Sequence, residues 1–329
     1  MLEITATLSV WLLAIIFVAS LTSLVKGADF LLEGAERVGR YFKLPSFVIG
    51  ALIVGVGTSL PELASSIFAA IDGKTEFITA NVIGSNIANI LLVAGLASVI
   101  GKIIYTNKNL IRLEIPLLVI STSLFLFVGY DGIINRWEAL VILFAFIVYV
   151  VYLLNSNRYL TEEDKKDIEE NNEEEEYEEV NSIGVKEFAL LIGGGLMLSF
   201  GADYLVQSVT AFSQKLNIGI SIISVLAVAV GTSLPEILVS VKAVLNGKTD
   251  LAFGNIFGSN VFNILMLTGT IGVFTNIEVS ESMLKIGLPF LAITTLIFYV
   301  SATARKIYIW EGLMFLAFYA LFVLKIVGL

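Results

Sequence analysis

Two glutamates stand in the middle of long apolar segments of this sequence. Glu62 ends the stretch VGTSLPE, and Glu236 ends an identical stretch that follows 174 residues later. A charged side chain inside a membrane-embedded segment is costly to bury and usually marks an ion pathway. No lysine or arginine stands at a matching position to neutralise either carboxylate. We therefore expect the two side chains to face each other across a bound cation, with a protonated structural pair as the alternative.

The residues beside each glutamate supply further oxygen ligands. Pro61 and Pro235 have no N–H, so the carbonyls of Gly57 and Gly231 lose their helical partners, and we expect the helix to break at each proline. A proline kink with no ligand role is the alternative. Calcium and sodium favour such oxygen ligands, whereas softer metals favour sulfur or imidazole, and the sequence has no Cys and no His. The neighbouring hydroxyls belong to Thr58, Ser59, Thr232 and Ser233.

A second polar motif follows each glutamate. Asn81, Ser85 and Asn89 recur at a spacing of four residues, which places them roughly on one face of a helix. We expect the small residues Gly84 and Gly258 to let a neighbouring helix approach closely, and asparagines to form hydrogen bonds between helices there. That structural role is expected of Asn81, Asn86, Asn255 and Asn260.

The deepest asparagines of these motifs have a different expected role. Asn89 and Asn263 are expected to contact the ion or the carboxylates, as polar support at the central site. Asp29 and Asp203 are expected at helix ends or at the ion entrance, and not as ligands.

All these motifs belong to one internal repeat with a constant offset of 174 residues. Gly73-Lys74-Thr75 recurs as Gly247-Lys248-Thr249, and Asn255, Ser259 and Asn263 repeat the second polar motif. The agreement is densest at polar and small positions, so hydrophobic bias does not explain it. Five predicted helices separate each element from its copy, so the two copies enter the membrane from opposite sides. Inverted repeats are typical of secondary transporters, whose sites lie near the membrane midplane.

The composition is that of a membrane protein. Hydrophobic residues make up 57% and charged residues 15% of the sequence, whereas a soluble domain carries about a quarter charged residues. Long apolar runs predict membrane-spanning helices and not the short alternating segments of a β-barrel. We predict an all-α membrane protein with ten transmembrane helices in two inverted-topology five-helix repeats. The predicted helices are 8–41, 46–72, 76–101, 110–129, 136–155, 185–214, 219–246, 250–274, 283–301 and 307–327.

The basic residues predict the orientation, because lysine and arginine are retained on the cytoplasmic side. With the N-terminus outside, fourteen basic residues fall on the inner side and five on the outer side. We therefore expect a multi-pass protein of the cytoplasmic membrane with both termini outside.

One acidic segment produces the net charge of −9. Twelve acidic residues and two lysines lie between positions 162 and 179, and such a run repels itself and favours a disordered connector. The segment could instead attract or sense calcium at the cytoplasmic face. We expect residues 1–155 to form the first five-helix repeat, 156–184 an acidic cytoplasmic linker, and 185–329 the second repeat.

The sequence resembles the cation/calcium exchanger superfamily, and within it the prokaryotic sodium/calcium antiporters. The motifs that carry the resemblance are Gly57-Thr58-Ser59-Leu60-Pro61-Glu62 and Gly84-Ser85-Asn86, with their copies from Gly231 and Gly258. The resemblance implies an antiporter, not an enzyme, that exchanges Na⁺ for Ca²⁺ by alternating access. It also implies a core formed by the second, third, seventh and eighth helices, across which the long first and sixth helices slide. No cofactor is expected beyond the transported Ca²⁺ and Na⁺, and the expected partners are membrane lipid and these cations, with no nucleic acid and no obligate protein partner.

The resemblance also implies a role for each residue of the motifs. Glu62 and Glu236 would bind both calcium and sodium, and Thr58 and Thr232 would assist calcium. Some relatives carry Asp at the position of Asn263. With two carboxylates, one Ca²⁺ is balanced and three Na⁺ leave one positive charge, so we expect electrogenic exchange without potassium. The implied further sodium ligands are Ser59, Ser233, Ser85, Ser259 and the carbonyls of Gly55 and Ala229.

Other functions stay open at this point. Two carboxylates could carry two protons, so a proton/calcium antiporter is the main alternative, although the hydroxyls of Ser59 and Ser233 fit sodium better. A carrier of magnesium or another divalent cation is a variant of the same site. An intramembrane carboxylate protease would leave the Thr-Ser-Leu-Pro pattern without a role, and a channel fits an inverted repeat less well than alternating access does.

Overall fold

The structure is a computed structural model that describes residues 8–105, 114–155, 182–216, 231, 233–304 and 306–327. The predicted acidic linker lies outside these residues except for its last three positions, and so does most of the first half of the predicted seventh helix. The division of the chain at positions 155 and 185 therefore stays a prediction.

Ten helices make up nearly the whole of the described chain. Eight of them are long and apolar enough to cross a membrane, and the other two are shorter as described. The predicted all-α membrane fold is confirmed, and the helix ends agree within two residues, apart from the starts of α4 and α7. The helices are α1 Val10–Tyr41, α2 Ser46–Ile71, α3 Thr75–Gly101, α4 Ile115–Gly129, α5 Arg136–Asn155, α6 Val185–Leu216, α7 Leu234–Leu245, α8 Thr249–Gly272, α9 Met283–Thr303 and α10 Ile309–Val327.

The two repeats turn in the same way between their second and third helices. Gly73 follows α2 with a φ of 73°, and Gly247 follows α7 with a φ of 76°. Glycine enters this left-handed region at little cost, because it has no Cβ. The next helix of each repeat then begins two residues later, at Thr75 or Thr249. The shared turn fixes the angle between the two motif-bearing helices of each repeat.

Two short β-ladders join the repeats to each other. Strand β1 (Ile103–Tyr105) follows α3 and pairs antiparallel with β4 (Lys306–Tyr308), which lies between α9 and α10. Strand β2 (Ile133–Ile134) lies between α4 and α5 and pairs antiparallel with β3 (Ile277–Glu278), which follows α8. Because the strands occupy equivalent positions, each repeat gives one strand to each ladder. The peripheral helices of one repeat are thereby tied to the motif-bearing helices of the other.

Helices α1 and α6 pack against each other through their backbones. A Cβ atom on Gly194 would lie 2.5 Å from the backbone nitrogen of Leu31, and one on Gly27 would lie 2.9 Å from the carbonyl oxygen of Gly194. The hydroxyl of Ser23 donates to the carbonyl of Met197 at 2.9 Å. Small residues at such a crossing let two membrane helices approach closely. We call these two helices, Val10–Tyr41 and Val185–Leu216, the α1–α6 unit.

The break that the sequence predicts at Pro61 is wrong. The α-helical part of α2 runs without interruption from Gly55 to Ile71, with Pro61 inside it. The departure from α-helical geometry lies earlier, in the π-helical turn Ile49–Val54. The backbone changes from α-helical to π-helical hydrogen bonding in that turn. Such π-helical turns are frequent at functional sites. In the second repeat, Pro235 lies in the first turn of α7 as described.

The third helix of each repeat also contains a π-helical turn. Asn89–Val93 interrupts α3, and Phe262–Leu267 interrupts α8 at the equivalent position. These turns begin at or next to Asn89 and Asn263. Each therefore widens the helix where the sequence places polar support for the site.

Helices α2 and α8 cross in direct backbone contact beside the glutamates. A Cβ atom on Gly258 would lie 2.2 Å from the carbonyl oxygen of Ala51, and one on Gly50 would lie 2.4 Å from the carbonyl oxygen of Leu251. The close approach expected at Gly258 is therefore confirmed. A Cβ atom on Gly84 would have no neighbour within 4 Å among the described residues, so the same expectation for Gly84 stays a prediction. The crossing of α2 and α8 brings the backbone around Gly55 against the polar face of α8.

Candidate cation-binding site

The two carboxylates lie at the centre of the protein. Glu62 on α2 is 1% exposed and Glu236 on α7 is 0% exposed. The Oε2 atom of each is buried without a hydrogen-bond partner among the described residues. The ion pairs between described residues include neither side chain. Two buried carboxylates without a counter-charge need cations or protons to neutralise them.

A hydroxyl of the first repeat reaches the glutamate of the second. The hydroxyl of Ser59 donates to Oε1 of Glu236 at 3.5 Å, a long hydrogen bond between α2 and α7. Ser59 itself is fully buried. The carboxylate of Glu236 therefore lies beside the hydroxyl of Ser59, a contact between the repeats that the sequence alone does not show.

A second group of oxygens lies where α2 crosses α8. The hydroxyl of Thr58 donates to Oδ1 of Asn255 at 3.1 Å and lies 3.3 Å from the hydroxyl of Ser259. Ser259 in turn donates to the carbonyl of Gly55 at 3.1 Å. Three of the predicted ligands, Thr58, Ser259 and Gly55, are thus in direct contact. These oxygens contact one another, and their lone pairs can bind a small cation while the hydroxyls keep their protons.

Each glutamate is fixed through its backbone by an asparagine of the next helix. Nδ2 of Asn81 lies 3.3 Å from the Glu62 carbonyl, and Nδ2 of Asn255 lies 3.4 Å from the Glu236 carbonyl. The same amides donate to serine hydroxyls at 3.0 and 2.9 Å. These contacts fit the structural role expected of Asn81 and Asn255. The serines, Ser66 and Ser240, were not singled out from the sequence, although they recur at the same offset.

The interhelical role expected of two other asparagines is wrong. Asn86 and Asn260 each donate to the carbonyl four residues earlier in their own helix, both at 2.8 Å. Within the part of the chain that the structure describes, their side chains therefore pair with the local backbone and not with a neighbouring helix.

The deepest asparagines keep their hydrogen-bonding groups free for other contacts. Asn89 is 1% exposed and Asn263 is 0% exposed, and neither amide has a hydrogen-bond partner among the described residues at its nitrogen or its oxygen. An unpaired buried amide is costly, so a ligand or water is expected to satisfy it. This arrangement fits the expectation that both contact the ion or the carboxylates.

The structure describes few contacts, or none, for the remaining predicted ligands. Ser85 lies 3.5 Å from Oδ1 of Asn81, and the hydroxyl of Ser233 is buried without a partner among the described residues. Thr232 and Ala229 lie outside the described residues. The ligand assignments as a whole stay predictions.

The helix-end location expected of two aspartates is wrong. Asp29 lies inside α1, which continues to Tyr41, and Asp203 lies inside α6. Asp29 forms an ion pair with Lys242 on α7. Asp203 accepts a hydrogen bond from the side chain of Gln207 on its own helix. The pairing of Asp29 could not be inferred from the sequence, because its partner lies 213 residues away.

Comparison with known proteins identifies the family. The sequence matches the family described as sodium/calcium exchanger protein over residues 12–155 and 186–328. The chain belongs to the sodium/calcium exchanger family. It is therefore a member of a family of membrane transporters.

Individual relatives agree with this family. The chain is 30% identical to the sodium/calcium exchanger MaX1 of Methanosarcina acetivorans, over 94% of this chain and 96% of that protein. It is similar to the solved structure of the sodium-calcium exchanger NCX_Mj with a TM-score of 0.77 and 30% identity, over 95% of this chain and 98% of the other. A more distant relative is vacuolar cation/proton exchanger 3 of Oryza sativa subsp. japonica, 22% identical over 75% of this chain and 63% of that protein.

Proposed function

We propose that this protein is a secondary active antiporter that exchanges Na⁺ for Ca²⁺ across the cytoplasmic membrane by alternating access. Glu62 and Glu236 bind both ions, and Thr58 and Thr232 assist calcium. Asn89 and Asn263 give polar support at the centre. The sodium sites are completed by Ser59, Ser233, Ser85, Ser259 and the carbonyls of Gly55 and Ala229.

One observation carries the proposal. Thr58, Ser259 and the Gly55 carbonyl form a contiguous group of neutral oxygens beside the buried carboxylates. Protons would neutralise the carboxylates without needing such a group. Sodium and calcium need several hard oxygen ligands, which carboxylates, hydroxyls and carbonyls provide together. The sodium/calcium exchangers among the relatives support the same choice of ions.

The charges of the site support electrogenic exchange. The central site has two carboxylates, and Asn89 and Asn263 add none. One Ca²⁺ balances two negative charges, whereas three Na⁺ exceed them by one. We infer a cycle that moves three sodium ions against one calcium ion, with net transfer of one charge. The excess of lysine and arginine on one side supports an orientation with both termini outside.

The test is calcium uptake into proteoliposomes that contain the purified protein. Radioactive calcium is added outside vesicles loaded with sodium, and uptake is compared with that of the Glu62→Gln, Glu236→Gln double variant. Glu281→Gln, which changes an exposed carboxylate outside α9, is the matched control. Sodium-driven uptake by the unmodified protein and the control, but not by the double variant, is the expected result.

Two other outcomes lead to different conclusions. Uptake driven by a proton gradient and not by sodium would establish the proton/calcium antiporter to which the Oryza relative points. Uptake under neither gradient would exclude calcium as the substrate, and other divalent cations would then be screened. A potassium diffusion potential tests electrogenicity, because uptake of one calcium against three sodium ions is accelerated by a positive potential inside.

A further inference from the structure

The α1–α6 unit is held together at both of its ends. At one end, Arg37 on α1 forms an ion pair with Glu187 on α6, with 3.6 Å between Nη1 and Oε1. At the other end, Lys215 on α6 donates to the carbonyl of Leu8. Together with the glycine contacts at its centre, these interactions let the unit move as one body.

Two ion pairs connect this unit to the helices that carry the site. Lys242 on α7 binds the carboxylate of Asp29 and the carbonyl of Val25, both on α1. Lys248, in the turn between α7 and α8, binds the carboxylate of Glu36 on α1. Asp29 lies about two helical turns before Arg37, inside α1, and Glu36 lies beside Arg37, at the end of the unit where Arg37 meets Glu187. That is the cytoplasmic end in the proposed orientation.

The internal repeat shows that this connection is specific to one end. Lys74 occupies the position equivalent to Lys248, and it pairs with Asp72 in its own turn at 3.6 Å. The position equivalent to Glu36 is Thr210, whose hydroxyl donates to a carbonyl of its own helix at 2.9 Å. The position equivalent to Lys242 is the apolar Phe68. Among the described residues, charged side chains therefore link the unit to the site helices at the cytoplasmic end. The equivalent positions of the other end form local bonds, at Lys74 and Thr210, or are apolar, at Phe68.

We propose that the Asp29–Lys242 and Glu36–Lys248 pairs form a latch that holds the α1–α6 unit against the site helices and keeps the cytoplasmic end of the site closed. The proposal rests on the proposed function, because it assumes alternating access. Movement of the unit along α7 and α8 must break both pairs. The latched conformation is therefore favoured over the one that opens toward the cytoplasm.

The partial burial of the latch makes it effective. Each pair has one largely buried member, with Lys242 19% and Glu36 15% exposed, while Asp29 is 45% and Lys248 29% exposed. Water therefore screens these pairs somewhat less than it screens a pair on the surface. A partner left behind after a break must be solvated in a confined space. Loss of the latch should therefore increase the population of the state that is open to the cytoplasm. The apparent affinity for ions at each face depends on the population of the state open to that face.

The first test is a reversible cross-link, which is possible because the sequence has no cysteine. Asp29→Cys and Lys242→Cys are introduced together and joined by a short bifunctional thiol reagent that a reductant cleaves. Ser23→Cys with Met197→Cys, which join α1 to α6 inside the unit, form the matched control. Cross-linking is followed by mass spectrometry, and exchange is measured before the reagent, after it and after reduction.

The expected result is that the Asp29–Lys242 cross-link stops exchange, that reduction restores it, and that the control cross-link leaves it unchanged. Full exchange in the completely cross-linked Asp29–Lys242 protein would overturn the latch. Absence of sodium-driven exchange in the protein before any cross-link would contradict the proposed function instead, so the two failures are distinguishable.

The second test measures the apparent affinity for calcium at each face in oriented vesicles. In the Lys242→Gln, Lys248→Gln double variant, the ratio of the cytoplasmic KM to the outer KM should fall about tenfold, because the state open to the cytoplasm becomes more populated. Lys74→Gln is the control and should leave the ratio unchanged. Exchanging the charges, with Asp29→Lys and Lys242→Asp, should restore part of the original ratio. An unchanged ratio in the double variant would also overturn the latch.

Discussion

Asn255 on α8 donates from Nδ2 to the backbone carbonyl of Glu236 on α7, at a distance of 3.4 Å. The equivalent contact of Asn81 with Glu62 has a distance of 3.3 Å. In both repeats the amide therefore binds the backbone of the glutamate and not its carboxylate. The third helix of each repeat thus positions the carboxylate that the second helix carries.

The first prediction concerns this positioning role. Asn255→Ala removes the amide that holds the Glu236 backbone, a hydrogen bond worth about 0.5–1.5 kcal/mol, while the carbonyl keeps its partner within α7. We expect the KM for calcium to rise roughly tenfold while the protein still folds, as measured by calcium uptake and by thermal unfolding in detergent. The control is Asn260→Ala, because Asn260 bonds only its own helix among the described residues. An equal rise of KM in both variants would contradict the role of Asn255.

The second prediction separates sodium from calcium binding. Ser259→Ala removes a proposed sodium ligand. Its hydroxyl contacts the Gly55 carbonyl, which is another proposed sodium ligand, and Thr58, which is proposed to assist calcium. We expect the apparent affinity for sodium to fall about tenfold, which corresponds to about 1.4 kcal/mol, and the affinity for calcium to change much less. The measurement is calcium uptake as a function of internal sodium, and of external calcium.

The control for the second prediction is Ser98→Ala. Ser98 is also fully buried, but its hydroxyl donates to the Ala94 carbonyl of its own helix at 2.7 Å. It should leave both affinities unchanged. A parallel loss of sodium and calcium affinity in Ser259→Ala would show that the hydroxyl serves both ions.

The sequence was sufficient for the helices, and it singled out several of the buried polar residues that meet in the structure. Long apolar runs fix the helices because the membrane imposes their length. The repeat indicates the candidate site residues, because residues such as Thr58 and Ser259 are polar in segments that are otherwise apolar. The equivalent Ser66 and Ser240 carry the same signal, so the partners of Asn81 and Asn255 could have been found in the same way.

Other features depend on contacts that a sequence does not show. The π-helical turn Ile49–Val54 contains ordinary apolar residues and glycine, so nothing in its composition distinguishes it from an α-helix. Strands such as β2 have only two residues, too few for a periodic pattern. The pair formed by Asp29 and Lys242 depends on the packing of α1 against α7. Long-range packing therefore determines the features that the sequence missed.

The third prediction concerns the α1–α6 unit. Gly194→Ala places a Cβ atom 2.5 Å from the backbone of Leu31, so the two helices must move apart. We expect a loss of about 1–3 kcal/mol in the free energy of unfolding and a lower melting temperature in detergent. Gly193→Ala and Gly195→Ala are the controls, because a Cβ atom at either position has no neighbour within 4 Å among the described residues. They should be neutral or slightly stabilising, since alanine favours a helix over glycine by about 1 kcal/mol. Equal effects at the three positions would contradict the backbone contact.

The fourth prediction concerns the charge of the occupied site. With two carboxylates, the calcium-bound site is neutral and the site with three sodium ions carries one positive charge. Exchange of calcium for calcium should therefore be insensitive to the membrane potential, whereas exchange of sodium for calcium should depend on it. Asn263→Asp adds a third carboxylate, so the calcium-bound site becomes negative and the sodium-bound site neutral. Exchange of calcium for calcium should then depend on the membrane potential, because the calcium-bound site carries a net charge across the membrane.

The measurement is the exchange of radioactive for unlabelled calcium at potentials set by potassium gradients. A full charge that crosses the whole membrane gains about 2.3 kcal/mol per 100 mV, so a charge that crosses part of the field changes a rate several-fold. We expect no change in the unmodified protein and a several-fold change in Asn263→Asp. Asn263→Ala is the control, because it alters the same buried position without adding charge. Calcium self-exchange that depends on potential in the unmodified protein would mean that the bound calcium is not balanced by Glu62 and Glu236 alone.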